Sequence, residues 1–218
     1  VGGPTANMWN AICHGPGKCK RRSCLWPAPC PHFRPAQAEL AELLSRIAAV
    51  PGVRNVRSAS GVRHDLAALE PRYVDALVAN FIGGPLTVAP EHSEPHVLAL
   101  MRKPSFEAFE RFHDEFMSRS AKHGKEQYLV PYLLTAFPGC TDGDMRKLAG
   151  WFRERHWKPR QVQCFIPTPG TVATAMFWSG KDESGRKIHV AHTDAERLRQ
   201  HYILVPTDPN PGSRSQPD

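Results

Sequence analysis

Apolar positions along the chain alternate between helical and strand periodicity. In AQAELAELLSRIAA (36–49), Leu40, Leu43, Leu44 and Ile47 recur at three- and four-residue spacing, the stripe of an amphipathic helix. Pro51-Gly52 stops that helix. VRNVRSAS (53–60) predicts a short strand closed by Gly61. A helical YVDALVANF (73–81) leads through Gly83-Gly84 into a strand, PLTVAP (85–90). SFEAFERFHDEFMSRSAKH (105–123) predicts a helix in which Phe106, Phe109, Phe112 and Phe116 form a core stripe. It leads into the continuous apolar run QYLVPYLLTAF (127–137). Thr141-Asp142 caps a helix running to about Trp157, and QVQCFIPTP (161–169) predicts another strand. Apolar strands separated by amphipathic helices predict an α/β fold with a parallel sheet covered by helices.

About five or six strand–helix units are legible, whereas a closed (βα) barrel needs eight and typically about 250 residues. The expectation is therefore a partial barrel, in a chain read as a fragment because it opens on Val1 and a Gly-Gly-Pro turn. Residues 1–10 predict a strand end and turn. Residues 11–35, with Pro16, Pro27, Pro29, Pro31 and Pro35, predict an irregular loop rich in Cys, Pro and basic residues. TDPNPGSRSQPD, after Pro206, cannot bury a core. The expected organisation is one domain over 1–205, with 11–35 as a loop, and a disordered tail over 206–218.

Composition changes this picture little. At 218 residues and 41% hydrophobic, the chain is long enough for a real core. No stretch approaches the roughly 18 apolar residues of a membrane helix, and no signal peptide is present, so a cytoplasmic location is expected. The net charge of +7 comes from scattered Arg and Lys, which predicts a solvated basic surface. The densest cluster is Lys18, Lys20, Arg21 and Arg22, inside the cysteine-rich loop.

In a parallel α/β fold, ligands sit at the C-terminal ends of the strands. The turns to read are Gly2-Gly3-Pro4-Thr5, SASGVRHD (58–65), Ala89-Pro90-Glu91-His92, Phe137-Pro138-Gly139 and Pro167-Thr168-Pro169-Gly170-Thr171. Small and rigid residues let backbone approach a ligand closely, although βα turns use Gly and Pro in any case. Together the five turns predict a ligand-lined mouth.

These segments carry a resemblance. GGPTANM (2–8), SASGVRHDL (58–66), VAPEHSE (88–94), QYLVPY (127–132) with FPG (137–139), and QVQCFIPTPGTVATAMFWSG (161–180) occur in this order in YgiQ-type radical S-adenosylmethionine (radical SAM) proteins. The chain resembles that family from residue 1 to about 205. The resemblance implies a partial TIM-type barrel, with S-adenosylmethionine and a [4Fe–4S] cluster in the full-length parent. It further implies cofactor contacts from Gly2, Gly3, Pro4 and Thr5, whose backbone would receive the methionine ammonium group. It also implies contacts from Ser58, Ser60 and Arg63, with Arg63 suited to pairing with the carboxylate. Glu91 and His92 are the candidates for acid–base or substrate contact, with a turn or helix-capping role as the alternative. Radical SAM chemistry needs three cysteines, usually CxxxCxxC, and no such motif occurs in these 218 residues.

Six cysteines are present, four of them as C-x5-C-x4-C-x5-C at Cys13, Cys19, Cys24 and Cys30. A helix-free, Pro-rich loop calls for something to pin it. Four thiolates on Zn²⁺ or on an auxiliary Fe–S cluster would do so, against the alternatives of reduced free thiols or of disulfides, which a cytosolic compartment disfavours. Cys140 and Cys164 are expected to be structural. A second functional reading is a non-catalytic, metal-stabilised module that contacts RNA through the basic Cys loop.

Overall fold

The computed structural model describes residues 5–15 and 17–206. Gly2, Gly3 and Pro4, and the expected tail from 207 onward, lie outside the described residues. The chain divides into two compact units between Leu133 and Leu134. The architecture is α/β with parallel strand pairing, and among the described residues the strands do not close into a barrel. No described helix is long and apolar enough to cross a membrane.

The first described residues form a single 3-10 turn at Ala6–Met8, within the expected strand end and turn over 1–10. The Cys/Pro segment is not wholly irregular. Strands β1 (Ile12–Cys13) and β2 (Phe33–Arg34) pair antiparallel at its base, Ile12 opposite Arg34 and Cys13 opposite Phe33. Helix α1 (Gln37–Ala48) buries Leu40 and Leu44 as its spacing predicts. The expected strand at 53–60 does not form. Arg54, Asn55 and Arg57 are exposed there, so the segment has no apolar face to commit to a sheet. Pairing begins later, at a single parallel bridge between Val62 and Val88.

Two short helices follow, α2 (His64–Ala67) and α3 (Pro71–Ala76), and α3 continues into a π-helical turn at Leu77–Phe81. A π-turn leaves carbonyls poorly served, and Gln127 compensates. Its buried Nε2 donates to Val78 O (3.0 Å) and Ile82 O (3.1 Å), while its Oε1 accepts from Ser120 Oγ (2.8 Å). Strand β3 (Pro85–Glu91) leads to α4 (Pro95–Met101), then α5 (Phe106–Lys122) buries the predicted Phe stripe. Strand β4 (Tyr128–Thr135) runs parallel to β3, from Pro85 opposite Tyr128 to Glu91 opposite Leu133.

In the second unit, α6 (Asp142–Glu154) starts at a capping box: Thr141 Oγ1 accepts from Asp144 N, and Asp144 Oδ2 accepts from Thr141 N. Strand β5 (Gln161–Cys164) stops earlier than the expected 169. Helices α7 (Val172–Ser179) and α8 (Asp194–Leu204) follow, capped by Thr171 and Thr193. Phe165 N donates to Thr135 O (2.8 Å). The fully buried Gln200 of α8 bridges Ala136 N and Cys140 O.

Candidate functional site

Burial along β3 and β4 alternates instead of being continuous. Leu86, Val88 and Pro90 are buried, while Thr87, Ala89 and Glu91 are only half-buried. On β4, Leu129, Pro131 and Leu133 are buried, and Val130 and Tyr132 are half-buried. Side chains alternate along a strand, so this pair keeps one face incompletely covered. A cavity of about 320 Å³ lies there, within the first unit, lined by Thr87, Ala89, Glu91 and Tyr132 together with Thr5, the 61–65 segment and Lys103.

Glu91 reaches the cavity through local distortion. The β3–β4 register shifts between Val88 and Glu91, and Glu91 adopts φ +65°. Bulges and left-handed backbone at a non-glycine residue re-aim side chains and cluster at functional sites. Its carboxylate accepts from Lys103 Nζ at 2.5 Å. Beside it, Arg63 makes a two-pronged pair with Asp65, Nη2 to Oδ2 at 2.6 Å and Nε to Oδ1 at 3.1 Å. The cavity thus holds two acids and two bases, each mostly covered from solvent. Tyr132 completes the charged wall. Burial, and then the Glu91 charge, hold its phenol above the usual range, so it presents a neutral O–H.

The 61–65 segment is fixed from behind. Ala6 N donates to Gly61 O (2.9 Å). The buried Asn7 amide grips Arg63 twice: Nδ2 donates to Arg63 O (2.9 Å), and Oδ1 accepts from Arg63 N (2.8 Å). Asn7 Nδ2 also donates to Gln37 Oε1, and Gln37 Nε2 donates to Leu66 O. A pair of buried amides therefore ties the end of GGPTANM to SASGVRHDL, which explains why these two stretches need each other.

His64 is buried in the same wall, edge-on to the Phe109 ring at 5.9 Å, with no hydrogen-bond partner for Nε2. Its pKa falls to about 4, chiefly through burial. Asp65 opposes that shift, while Lys103 and Arg63 add to it. The unfolded chain protonates this imidazole near 6.5, so between pH 6.5 and 4 the unfolded state binds more protons and stability falls with falling pH. The expected loss is about 2 kcal/mol between pH 7.5 and 5. Comparing denaturant midpoints at the two pH values for the parent and for His64→Leu checks this. An unchanged slope in the variant would move the effect to another group.

The structure brings Thr5, Arg63 and Glu91 to one cavity, but not the remaining described candidates. Ser58 and Ser60 do not line it; Ser58 N donates instead to Phe81 O. His92 is fully buried and its Nδ1 accepts from Ser93 N and Glu94 N, bonds within the turn that precedes α4. Arg63 already holds an internal carboxylate, Asp65. Cys13, Cys19 and Cys24 are exposed and Cys30 is buried, all as free thiols. The guanidinium of Arg21 bonds to Ser23 O and Ala28 O of its own loop, which takes it from the expected basic cluster. Asp65, Lys103, Tyr132, Asn7 and Gln37 were not read from the sequence. Asn7, Asp65 and Tyr132 carried a signal, since all three lie inside the matched motifs, whereas Lys103 and Gln37 lie outside them.

No protein-family model matches the chain. It is 44% identical over 209 residues to a UPF0313 protein of Geobacter sulfurreducens, covering 94% of this chain and 34% of the relative. It is 41% identical over 208 residues to a UPF0313 protein of Methanosarcina mazei, covering 94% and 33%. A UPF0313 protein of Pseudomonas aeruginosa is 43% identical over 185 residues, covering 84% and 25%. The chain spans about a third of the length of the curated relatives it matches. At 41–44% identity over most of its length, this chain is homologous to a segment of UPF0313 proteins, the family to which YgiQ belongs.

Proposed function

We propose that the first unit is part of the S-adenosylmethionine-binding wall of a radical SAM protein, an arc of a TIM-type barrel within a longer chain. In this reading the cavity receives the aminoacyl end of the cofactor. The observation that carries it is the pairing of opposite charges at Glu91–Lys103 and Arg63–Asp65 in one cavity. A zwitterionic amino-acid group has the same two charges. Its ammonium group suits Glu91, its carboxylate suits Lys103 and Arg63, and binding exchanges internal pairs for ligand pairs. The hydroxyl of Thr5 and the phenol of Tyr132 add neutral donors. About 320 Å³ is enough for that end of the molecule and sits at the low end of small-molecule sites.

The chain's own residues do not fit an iron–sulfur cluster of the radical type, because they contain no CxxxCxxC. The proposal therefore gives them binding and orientation only. Reductive cleavage of S-adenosylmethionine belongs to a cluster that other parts of the longer protein would hold.

The test uses a full-length UPF0313 protein carrying this segment, reconstituted anaerobically with iron and sulfide. Release of 5′-deoxyadenosine on adding S-adenosylmethionine and reductant is expected. Glu91→Gln and Arg63→Ala are expected to weaken S-adenosylmethionine binding at least about tenfold in equilibrium dialysis, the scale of one lost charge-assisted contact. For the isolated chain, weak binding on the order of 0.1–1 mM is expected, since only one end of the ligand is held. No 5′-deoxyadenosine from the full-length protein, or unchanged affinity in both variants, would overturn the reading.

A further inference from the structure

We infer that Cys13, Cys19, Cys24 and Cys30 bind a thiolate-liganded metal centre, either a zinc ion or an iron–sulfur cluster, which orders the segment between Met8 and Pro35. This site is independent of the cavity and of the S-adenosylmethionine reading.

The first observation is how little burial this segment has to hold its shape beyond the two-residue β1–β2 pairing and a few local hydrogen bonds. Among its described residues, only Cys30 is buried. A stretch of this length that buries almost no apolar side chain does not offset the entropy of ordering its backbone, and small unburied segments are commonly held by metals or disulfides. The cysteines are free, so disulfides do not supply the restraint.

The second observation concerns the sulfurs themselves. Gly15 N points at Cys13 Sγ (3.3 Å), and Arg21 N points at Cys19 Sγ (3.4 Å). In both, the amide two residues after the cysteine donates to its sulfur. A neutral thiol is a weak acceptor, whereas a ligating thiolate needs such donors to hold its charge and orientation. Lys18, Lys20 and Arg22 stand in the same loop, where their charges offset that of a four-thiolate site.

The third observation is topological. Cys13 pairs with Phe33 across the β1–β2 base, Phe33 N donates to Cys30 O (2.9 Å), and Cys30 N donates to Cys24 O (2.7 Å). Backbone hydrogen bonds thus link the neighbourhoods of three of the four cysteines, while Cys19 lies in the exposed turn between Cys13 and Cys24. Among the described residues, no three of these sulfurs are within 4.8 Å of one another, whereas a tetrahedral zinc site needs thiolates less than about 4 Å apart. Loading therefore requires the loop to contract. Three of the cysteines are exposed, so contraction sacrifices little packing, and metal binding supplies the free energy for it.

The test is elemental analysis of the 218-residue chain purified without chelator, beside Cys19→Ser/Cys24→Ser and the distant control Cys164→Ser. About one zinc per chain, or iron with matching acid-labile sulfide and visible absorbance, is expected in the parent and the control. At least a tenfold fall is expected in the double variant. Titration of the metal-free parent with cobalt(II) gives a readout that needs no variant, since thiolate-to-cobalt charge-transfer bands should grow to one equivalent. Less than a tenth of an equivalent of either metal together with no such bands would overturn the inference. Equal loss of metal in the control and the double variant, or disulfides among these four cysteines in freshly purified protein, would overturn it as well.

Discussion

Asn7→Ala is expected to lower the stability of the first unit by about 2–3 kcal/mol. Asn7 is 1% exposed, and its amide satisfies Arg63 N, Arg63 O and Gln37 Oε1 simultaneously. Alanine leaves Arg63 N and Gln37 Oε1 without this partner, each at roughly 1 kcal/mol or more where water does not reach, while Arg63 O keeps its bond from Ala67 N. The backbone of Arg63 then keeps only the bond from Ala67 N to its carbonyl, and the Arg63–Asp65 pair is held less firmly in the cavity. Asn7→Asp is the informative companion. It keeps the acceptor for Arg63 N but turns a donor toward two acceptors into an acidic oxygen, so it should be at least as destabilising near neutral pH. Urea unfolding followed by circular dichroism measures both, with the slope unchanged. A loss below about 1 kcal/mol for Asn7→Ala would mean that water replaces the amide and that the 61–65 segment is held by other means.

Gly61→Ala is the second large effect. A Cβ at Gly61 would be 2.8 Å from Thr87 O and 3.4 Å from the carbonyl carbon and Cβ of the same residue. Thr87 O cannot yield easily. It already accepts from Val62 N at 3.0 Å, and Thr87 is in register with Val130 across the β3–β4 pair. The added methyl must push the 61–65 segment off the strand. Overpacking of this kind costs about 2–3 kcal/mol, and the lost Val62 hydrogen bond adds about 1 kcal/mol. Gly83→Ala is the matched control, because its Cβ would meet only Arg57 Nε, a mobile side-chain atom, at 3.8 Å. The expected result is a loss of about 3–4 kcal/mol at Gly61 and less than about 1 kcal/mol at Gly83. Equal losses would show that the close approach to Thr87 O is not what requires glycine at position 61.

The long elements were legible because a single local signal defines each. The Phe106 to Phe116 stripe, the Leu40–Leu44 face and the Thr141 cap are all written within a few residues of sequence, and each helix ends within about three residues of its expected bound. Helix α8 carries an equally local signal: Thr193 and Glu196 form a capping box of the same kind. The error at 53–60 has a different origin. Two valines in a short run suggest a strand, but strand pairing depends on a partner edge and a face to bury, and Arg54, Asn55 and Arg57 offer neither.

By itself, the sequence determined the α/β alternation, the family, and the motifs in which Thr5, Arg63 and Glu91 lie. Tertiary structure alone decided which motif residues act together. It gave Glu91 a partner in Lys103, gave Arg63 a partner in Asp65, and buried His92 in the turn before α4. Periodicity records which face of an element is apolar, a local property of neighbouring residues. A charge pair such as Glu91–Lys103, or a grip such as Asn7 on Arg63 across 56 positions of sequence, is set by how separate elements fold against one another, and no local spacing encodes it.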